Sequence, residues 1–196
     1  SLEKRDISIK LVKQISEEAF MPFSVGGGIK EIGQAQKLIE NGAEKVILNS
    51  HALTNPSLIE EISKKYGNQS VTVSIDVKKS FIGNYSVYSF NGRVKNKISL
   101  IEWVKMVSDL GAGEIIINSI DNDGLMNGYD LDLIDFVSKS VKIPVVACGG
   151  AGKLDDFKNA FTKGAHAAAA GSFFIYHGPR KAVLINYPST DELKKI

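Results

Sequence analysis

Residues 21–50 and 143–172 are two gapless copies of one unit, set 122 positions apart, so whatever the first copy folds into the second must fold into as well. The copies read MPFSVGGGIKEIGQAQKLIENGAEKVILNS and IPVVACGGAGKLDDFKNAFTKGAHAAAAGS. Pro22/Pro144, Gly27/Gly149, Gly28/Gly150, Gly42/Gly164, Ala43/Ala165 and Ser50/Ser172 are identical. Each copy runs from a short apolar strand after Pro to a Gly-rich turn, an amphipathic helix, a Gly-Ala turn and a second apolar strand. This is a βαβ unit used twice, with two backbone-exposing loops on one side. Such loops hold anions, and the pair predicts a ligand carrying a phosphate at each end.

The same alternation extends along the chain. Apolar runs predict strands near 23–25, 45–49, 71–76, 114–119, 144–148 and 167–171. Helical periodicity predicts helices near 5–19, 31–41, 56–66, 100–110, 131–140 and 154–163. The strands are apolar at successive positions, as in parallel strands covered by helices. The fold class is therefore α/β with a parallel sheet, open or closed into a TIM (β/α)₈ barrel of two half-barrel repeats. A barrel needs eight strands. With six strands and a leading helix, either the sheet is open or the chain lacks the first strand, first helix and second strand; the leading helix favours the latter. One phosphate-binding barrel domain over 1–196 is expected. Residues 81–97 break the rhythm with alternating aromatics around Asn91-Gly92, predicting a β-hairpin insertion that is either a lid or decoration.

Composition excludes several classes. Lys plus Arg number 24 against 22 acids, so no basic field recruits nucleic acid or a membrane surface. No apolar run is long enough to span a bilayer. Cys148 is the only cysteine, and the opening from Ser1 shows no charged-then-apolar leader, which together predict a cytoplasmic protein. His51, His166 and His177 lack metal-ligand spacing, so neither metal nor cofactor is expected.

Function in such a fold gathers where strands end. Gly26-Gly27-Gly28 and Gly149-Gly150, with Asn49-Ser50 and Gly171-Ser172, leave amides uncovered for phosphate oxygens. Asp76 closes the strand VTVSID, either as a proton-transfer carboxylate or as a loop acid paired with a nearby lysine. Asp121 and Asp123 begin a D-x-D-G turn whose glycine and missing distal glutamate exclude a calcium loop. Asp123 is placed to reach the ligand, whereas Asp121 serves as readily to cap the turn. Lys45 and Glu114 start their strands, at the opposite rim, and form an ordinary salt bridge on position alone. Trp103 belongs to the core. Cys148 is a small strand-end residue without a histidine partner, not a nucleophile.

SLEKR, PFSVGGGI, GAEKVILNS, SIDVKK, GAGEIIINSIDNDG, GYD and CGGAGK occur in the order found in the cyclase subunit (HisF) family of imidazole glycerol phosphate synthase, which the chain resembles over about residues 1–175. The resemblance implies a TIM barrel that binds a doubly phosphorylated substrate and receives ammonia through its centre from a glutaminase subunit in a heterodimer. The family reaction cleaves and cyclises a ribulosyl aminoimidazole intermediate, giving imidazole glycerol phosphate and an aminoimidazole ribotide. By position, Gly28, Asn49 and Ser50 match one phosphate site, and Gly150, Gly171 and Ser172 the other. Asp76 matches one of two catalytic carboxylates. Asn118, Asp123 and Cys148 match substrate-lining positions, although Thr and Ser are usual at 118 and 148. Lys45 and Glu114 match the ammonia gate.

Two departures accompany the resemblance. The chain begins where the family's second strand has ended, so the first-strand aspartate and its neighbouring lysine are absent; a fragment of a longer protein is expected. GSFFIYHGPRKAVLINYPSTDELKKI replaces the usual final helix, resembling a paralogous branch linked to acetamidino modification of surface-polysaccharide sugars, and Leu125 stands where threonine is usual. The competing expectations are the sister isomerase of histidine biosynthesis, against which GAGEIII and CGGAGK argue, and a non-catalytic scaffold that docks a glutaminase and would need Lys45 and Glu114 but not Asp76.

Overall fold

A computed structural model describes residues 7–178, 182–194 and 196. The chain opens with α1 (Ile9–Glu18), β1 (Ser24–Gly26), α2 (Ile32–Glu40) and β2 (Lys45–Leu48), then two helices, α3 (Ser50–Thr54) and α4 (Ser57–Tyr66). β3 (Val71–Lys79), β4 (Tyr85–Ser89) and β5 (Val94–Lys95) follow, then α5 (Leu100–Asp109), β6 (Glu114–Ser119), α6 (Leu131–Ser138), β7 (Val145–Cys148), α7 (Leu154–Thr162) and β8 (Ala167–Ala168). The C-terminal stretch contributes α8 (Ser172–Ile175), β9 (Tyr176–His177), β10 (Ala182–Val183) and α9 (Thr190–Leu193).

The strands β1-β2-β3-β6-β7-β8 form one sheet in that order, every neighbour parallel. This is the α/β architecture of a TIM barrel, present here as six of a barrel's eight parallel strands. In β2, β6 and β7 buried and half-buried residues alternate. Val46, Leu48, Ile115, Ile117, Val145 and Ala147 form the buried phase. Each of the Val, Leu and Ile side chains contributes roughly 1.5–3 kcal/mol when fully buried. The other phase carries Lys45, Glu114, Asn118 and Cys148; Glu114 pairs with Thr72 of β3, and Asn118 lies between Asp76 of β3 and Cys148. Because side chains alternate across a strand, these polar residues share one face.

The duplication is visible down to single hydrogen bonds, and it reaches further upstream than residue 21. Ser8 caps α1 as Asp130 caps α6, each accepting from a backbone N–H three residues on. Ala43 N–H donates to Leu38 and Ala165 N–H to Ala160, both at 3.1 Å. Gly42 (φ +103°) and Gly164 (φ +92°) turn the chain after their helices, and a Cβ on either would press on the Cβ of Ser16 or Ser138. Glycine is the residue that both turns admit.

Three details differ from the sequence expectation. β3 runs on to Lys79 because β4 replaces β2 as its neighbour: Val71–Val73 pair with β2, and Asp76–Lys79 pair antiparallel with β4. β8 is only Ala167–Ala168, within a run of small residues that gives little surface to pack. The leading helix begins at Ile9: Ile7 and Ser8 precede it as non-helical residues, Ser8 being its cap, while the expected residues 5 and 6 lie outside the described ones. Trp103 is fully buried, as expected, while Met106 on the same helix is exposed.

Candidate active site

Asp76, Asn118 and Cys148 are successive partners across β3, β6 and β7, a row at one height near the C-terminal ends of parallel strands. Asp76 is 6% exposed. Asn118 Nδ2 donates to its Oδ1 at 3.0 Å and Asn49 Nδ2 to its Oδ2 at 3.2 Å. Each carboxylate oxygen thus has one carboxamide donor, which fixes the plane of the group. No lysine pairs with it among the described residues, so the position is an amide-clamped, nearly buried acid rather than a loop ion pair. Asn118 Oδ1 is buried without a partner, an acceptor left open beside that acid; such groups are costly and cluster where ligands bind.

On one side of the row lie Gly28, Asn49 and Ser50, at the ends of β1 and β2. Gly27 (φ +111°) and Gly28 (φ +79°) take conformations that side-chain-bearing residues rarely adopt. These residues border a cavity of about 370 Å³. Ser50 Oγ donates to Asn49 Oδ1 at 3.3 Å and accepts from the N–H of Phe90 at 2.8 Å. A chain of hydrogen bonds therefore runs from the β4–β5 turn through Ser50 and Asn49 to Asp76.

On the other side lie Gly150, Gly171 and Ser172, around a cavity of about 20 Å³ that Asp123, Gly124 and Cys148 also border. Gly150 (φ +117°) sits against Gly128, whose N–H donates to Gly150 O at 2.8 Å; a Cβ at Gly150 would collide with the Gly128 carbonyl. Burial pushes the Cys148 thiol up to about 11, with the Asp123 carboxylate adding to it. A protonated thiol is a poor nucleophile, and Cys148 borders the cavity as a small lining residue. Asp121 sits apart, accepting from Lys79 N–H at 3.0 Å and thereby holding the end of β3.

Lys45 and Glu114 meet at the opposite rim. Lys45 Nζ lies 2.9 Å from Glu114 Oε2, while Thr72 Oγ1 donates to Glu114 Oε1 at 2.7 Å. Thr72 and Asp76 lie on one strand, so this bridge is roughly 13 Å below the acid along the same face.

Several positioning residues escaped sequence reasoning. Asp156 accepts from Gly152 N–H and Lys153 N–H, at 2.8 and 3.0 Å, and holds the second glycine loop. Tyr129 donates to Ala169 O at 2.9 Å, tying the turn after β6 to the end of β8. Asp130 accepts from Tyr85 Oη at 2.8 Å, docking β4 on α6. Burial and that aspartate raise the Tyr85 phenol to about 12. His51 and Asn91 also border the first cavity. The GYD triplet carried a signal for two of these; the others depend on how strands align.

Comparison with known proteins follows the same lines. The family described as histidine biosynthesis protein matches residues 1–180. The chain is 44% identical over 178 residues to the imidazole glycerol phosphate synthase subunit HisF of Alkaliphilus metalliredigens, covering 90% of this chain and 71% of that protein. It is 44% identical over 176 residues to the subunit of the same name from Helicobacter hepaticus, covering 90% and 70%. It is also 44% identical over 185 residues, covering 94% and 74%, to a Pseudomonas aeruginosa protein designated hisF2, whose name marks its assignment to the synthase as provisional.

Proposed function

The chain belongs to the histidine biosynthesis protein family, and on that premise we propose that it is an imidazole glycerol phosphate synthase-type cyclase and lyase, working as one subunit of a complex. The observation that carries this reading is Asp76, nearly buried and clamped by Asn49 and Asn118, with a glycine-lined cradle on each side at one rim. A substrate phosphorylated at both ends would be held at Gly28, Asn49 and Ser50 and at Gly150, Gly171 and Ser172, with its reactive centre over the row. Asp76 is then within reach of a proton to be moved, in a fixed orientation, as general acid–base catalysis requires. Ammonia from a glutaminase partner would enter at the far rim, where Lys45 and Glu114 form the gate, and travel along the inner face to the acid.

A second reading is favoured by the C-terminal segment. There α8, β9, β10 and α9 follow the second cradle, and Phe174 and Tyr187 stack at 5.2 Å. In this reading the barrel belongs to the paralogous branch that serves acetamidino modification of a surface-polysaccharide sugar, or docks a glutaminase without catalysing the cyclisation.

Ammonium salts and the ribulosyl aminoimidazole intermediate, supplied to the protein and to its Asp76→Asn variant, separate these. The catalytic reading expects turnover by the native protein and a loss of about a thousandfold or more in kcat for the variant, with KM within about threefold. Undiminished turnover by Asp76→Asn defeats the assignment of Asp76. Absence of turnover by the native protein in the presence of its glutaminase favours the scaffold or the paralogous branch.

A further inference from the structure

The cavity at the first cradle has a roof that the family resemblance does not account for. The turn between β4 and β5 places three consecutive residues in the left-handed region: Phe90 (φ +52°), Asn91 (φ +57°) and Gly92 (φ +74°). For a bulky residue such as phenylalanine this conformation is rare and costly, and it persists only where the surroundings impose it. Two contacts impose it here. Phe90 N–H donates to Ser50 Oγ at 2.8 Å, and the Phe90 ring meets the His51 ring edge to face, centroids 6.2 Å apart. Gly92 lets the turn settle on Ile120, whose Cδ1 would be 2.8 Å from a Cβ there.

This arrangement brings Asn91 from the turn and His51 from α3 to the same cavity as Gly27, Gly28, Asn49 and Ser50. Neither ring nitrogen of His51, nor the carboxamide of Asn91, is hydrogen-bonded among the described residues. Both groups can donate. No carboxylate lines this cavity among the described residues. Burial, and then the charge of Lys30, hold the His51 imidazole below its ordinary value, which marks the margin as already electropositive. A cavity bordered by free donors, a nearby cation and no acid is made for an anion.

We infer that His51 and Asn91 are ligands of the first cradle, closing over the phosphate monoester end of the substrate from the side opposite Gly27 and Gly28. The inference rests on the reading of that cradle as a phosphate site, and adds to it two specificity-determining side chains and a function for the β4–β5 turn. Ser50 ties the two halves together. Its hydroxyl anchors the turn, and its proton now faces Asn49 but is able to rotate toward a bound oxygen.

The test uses inorganic phosphate and glycerol 3-phosphate as probes, followed by calorimetry and by the ring ¹⁵N resonances of His51, assigned from their loss in His51→Phe. Phenylalanine keeps the edge-to-face contact with Phe90, and Asn91→Gly keeps the left-handed turn, so both variants retain the fold. The expected result is a saturable shift of the His51 resonances. Each variant should bind the probes about tenfold more weakly at this cradle, with binding at the second cradle within about twofold. A stronger effect with glycerol 3-phosphate than with inorganic phosphate identifies the ester as the recognised form. Unmoved His51 resonances with unchanged affinity in both variants, while Ser50→Ala loses binding, overturn the roof and leave the cradle standing. If the native protein binds neither probe, the cradle reading falls and the roof with it.

Discussion

At the first cradle the loop after β1 is held by a neutral acceptor, Gln34, which takes the Lys30 N–H at 2.8 Å. At the equivalent place in the second copy the acceptor is Asp156, taking the Gly152 N–H at the same distance. The backbone task is identical and the charge is not. The first cavity measures about 370 Å³, is bordered by His51 and lies near Lys30. The second measures about 20 Å³ and is bordered by the Asp123 carboxylate. Duplication has preserved the turns and the helix positions while the side chains diverged, leaving one cradle open and electropositive and the other tight and acidic. Backbone geometry sets where an anion sits; the neighbouring side chains set which anion, and how firmly.

The difference in tightness is open to the largest test. Gly150→Ala would drive a Cβ into the Gly128 carbonyl from a left-handed position, and should cost at least about 3 kcal/mol in urea unfolding. Gly27→Ala meets no atom within 4 Å and should cost only the strain of its backbone, about 1–2 kcal/mol. Equal costs would mean that the second cradle relaxes as freely as the first.

Burial at the second cradle, with the Asp123 carboxylate adding to it, predicts a raised titration there. Cys148 is held as a thiol up to about 11, so its alkylation by iodoacetamide at pH 8 should be about a hundredfold slower than that of an exposed cysteine. The rate should keep climbing beyond pH 9. Because the folded value lies above the unfolded one, the associated stability is present below about pH 9 and lost as pH rises toward 11. A plateau in the alkylation rate near pH 9 would refute the closed, acidic second cradle.

The smallest effect concerns the paired serines. Ser50→Ala removes the anchor of the β4–β5 turn, and should cost about 1 kcal/mol and speed amide exchange at Phe90. Ser172 has no side-chain hydrogen bond among the described residues, and Ser172→Ala should change stability by less than about 0.5 kcal/mol.

The repeated unit, the strand order and the shared rim were legible because each rests on periodicity and on glycines that a turn requires. Gly42 and Gly164, Gly28 and Gly150 announce their conformations in the sequence. The clamp on Asp76 was not legible, because Asn49 and Asn118 reach it only through the register of three strands. His51 carries no local signal of its place, since Asn91 joins it at the cavity only because β4 pairs with the end of β3 and brings the following turn over the rim. Asp156 lies in the first turn of α7, and its hold on the glycine loop shows only in its hydrogen bonds to Gly152 and Lys153. What depended on local pattern was visible; what depended on one strand replacing another was not.

The most direct test is diffraction from crystals soaked in a small sugar derivative phosphorylated at both ends. One phosphate should lie against Gly28, Asn49 and Ser50, the other against Gly150, Gly171 and Ser172, with the connecting chain over Asp76. Both phosphates at one cradle, or either of them beside Lys45 and Glu114 on the far rim, would contradict it.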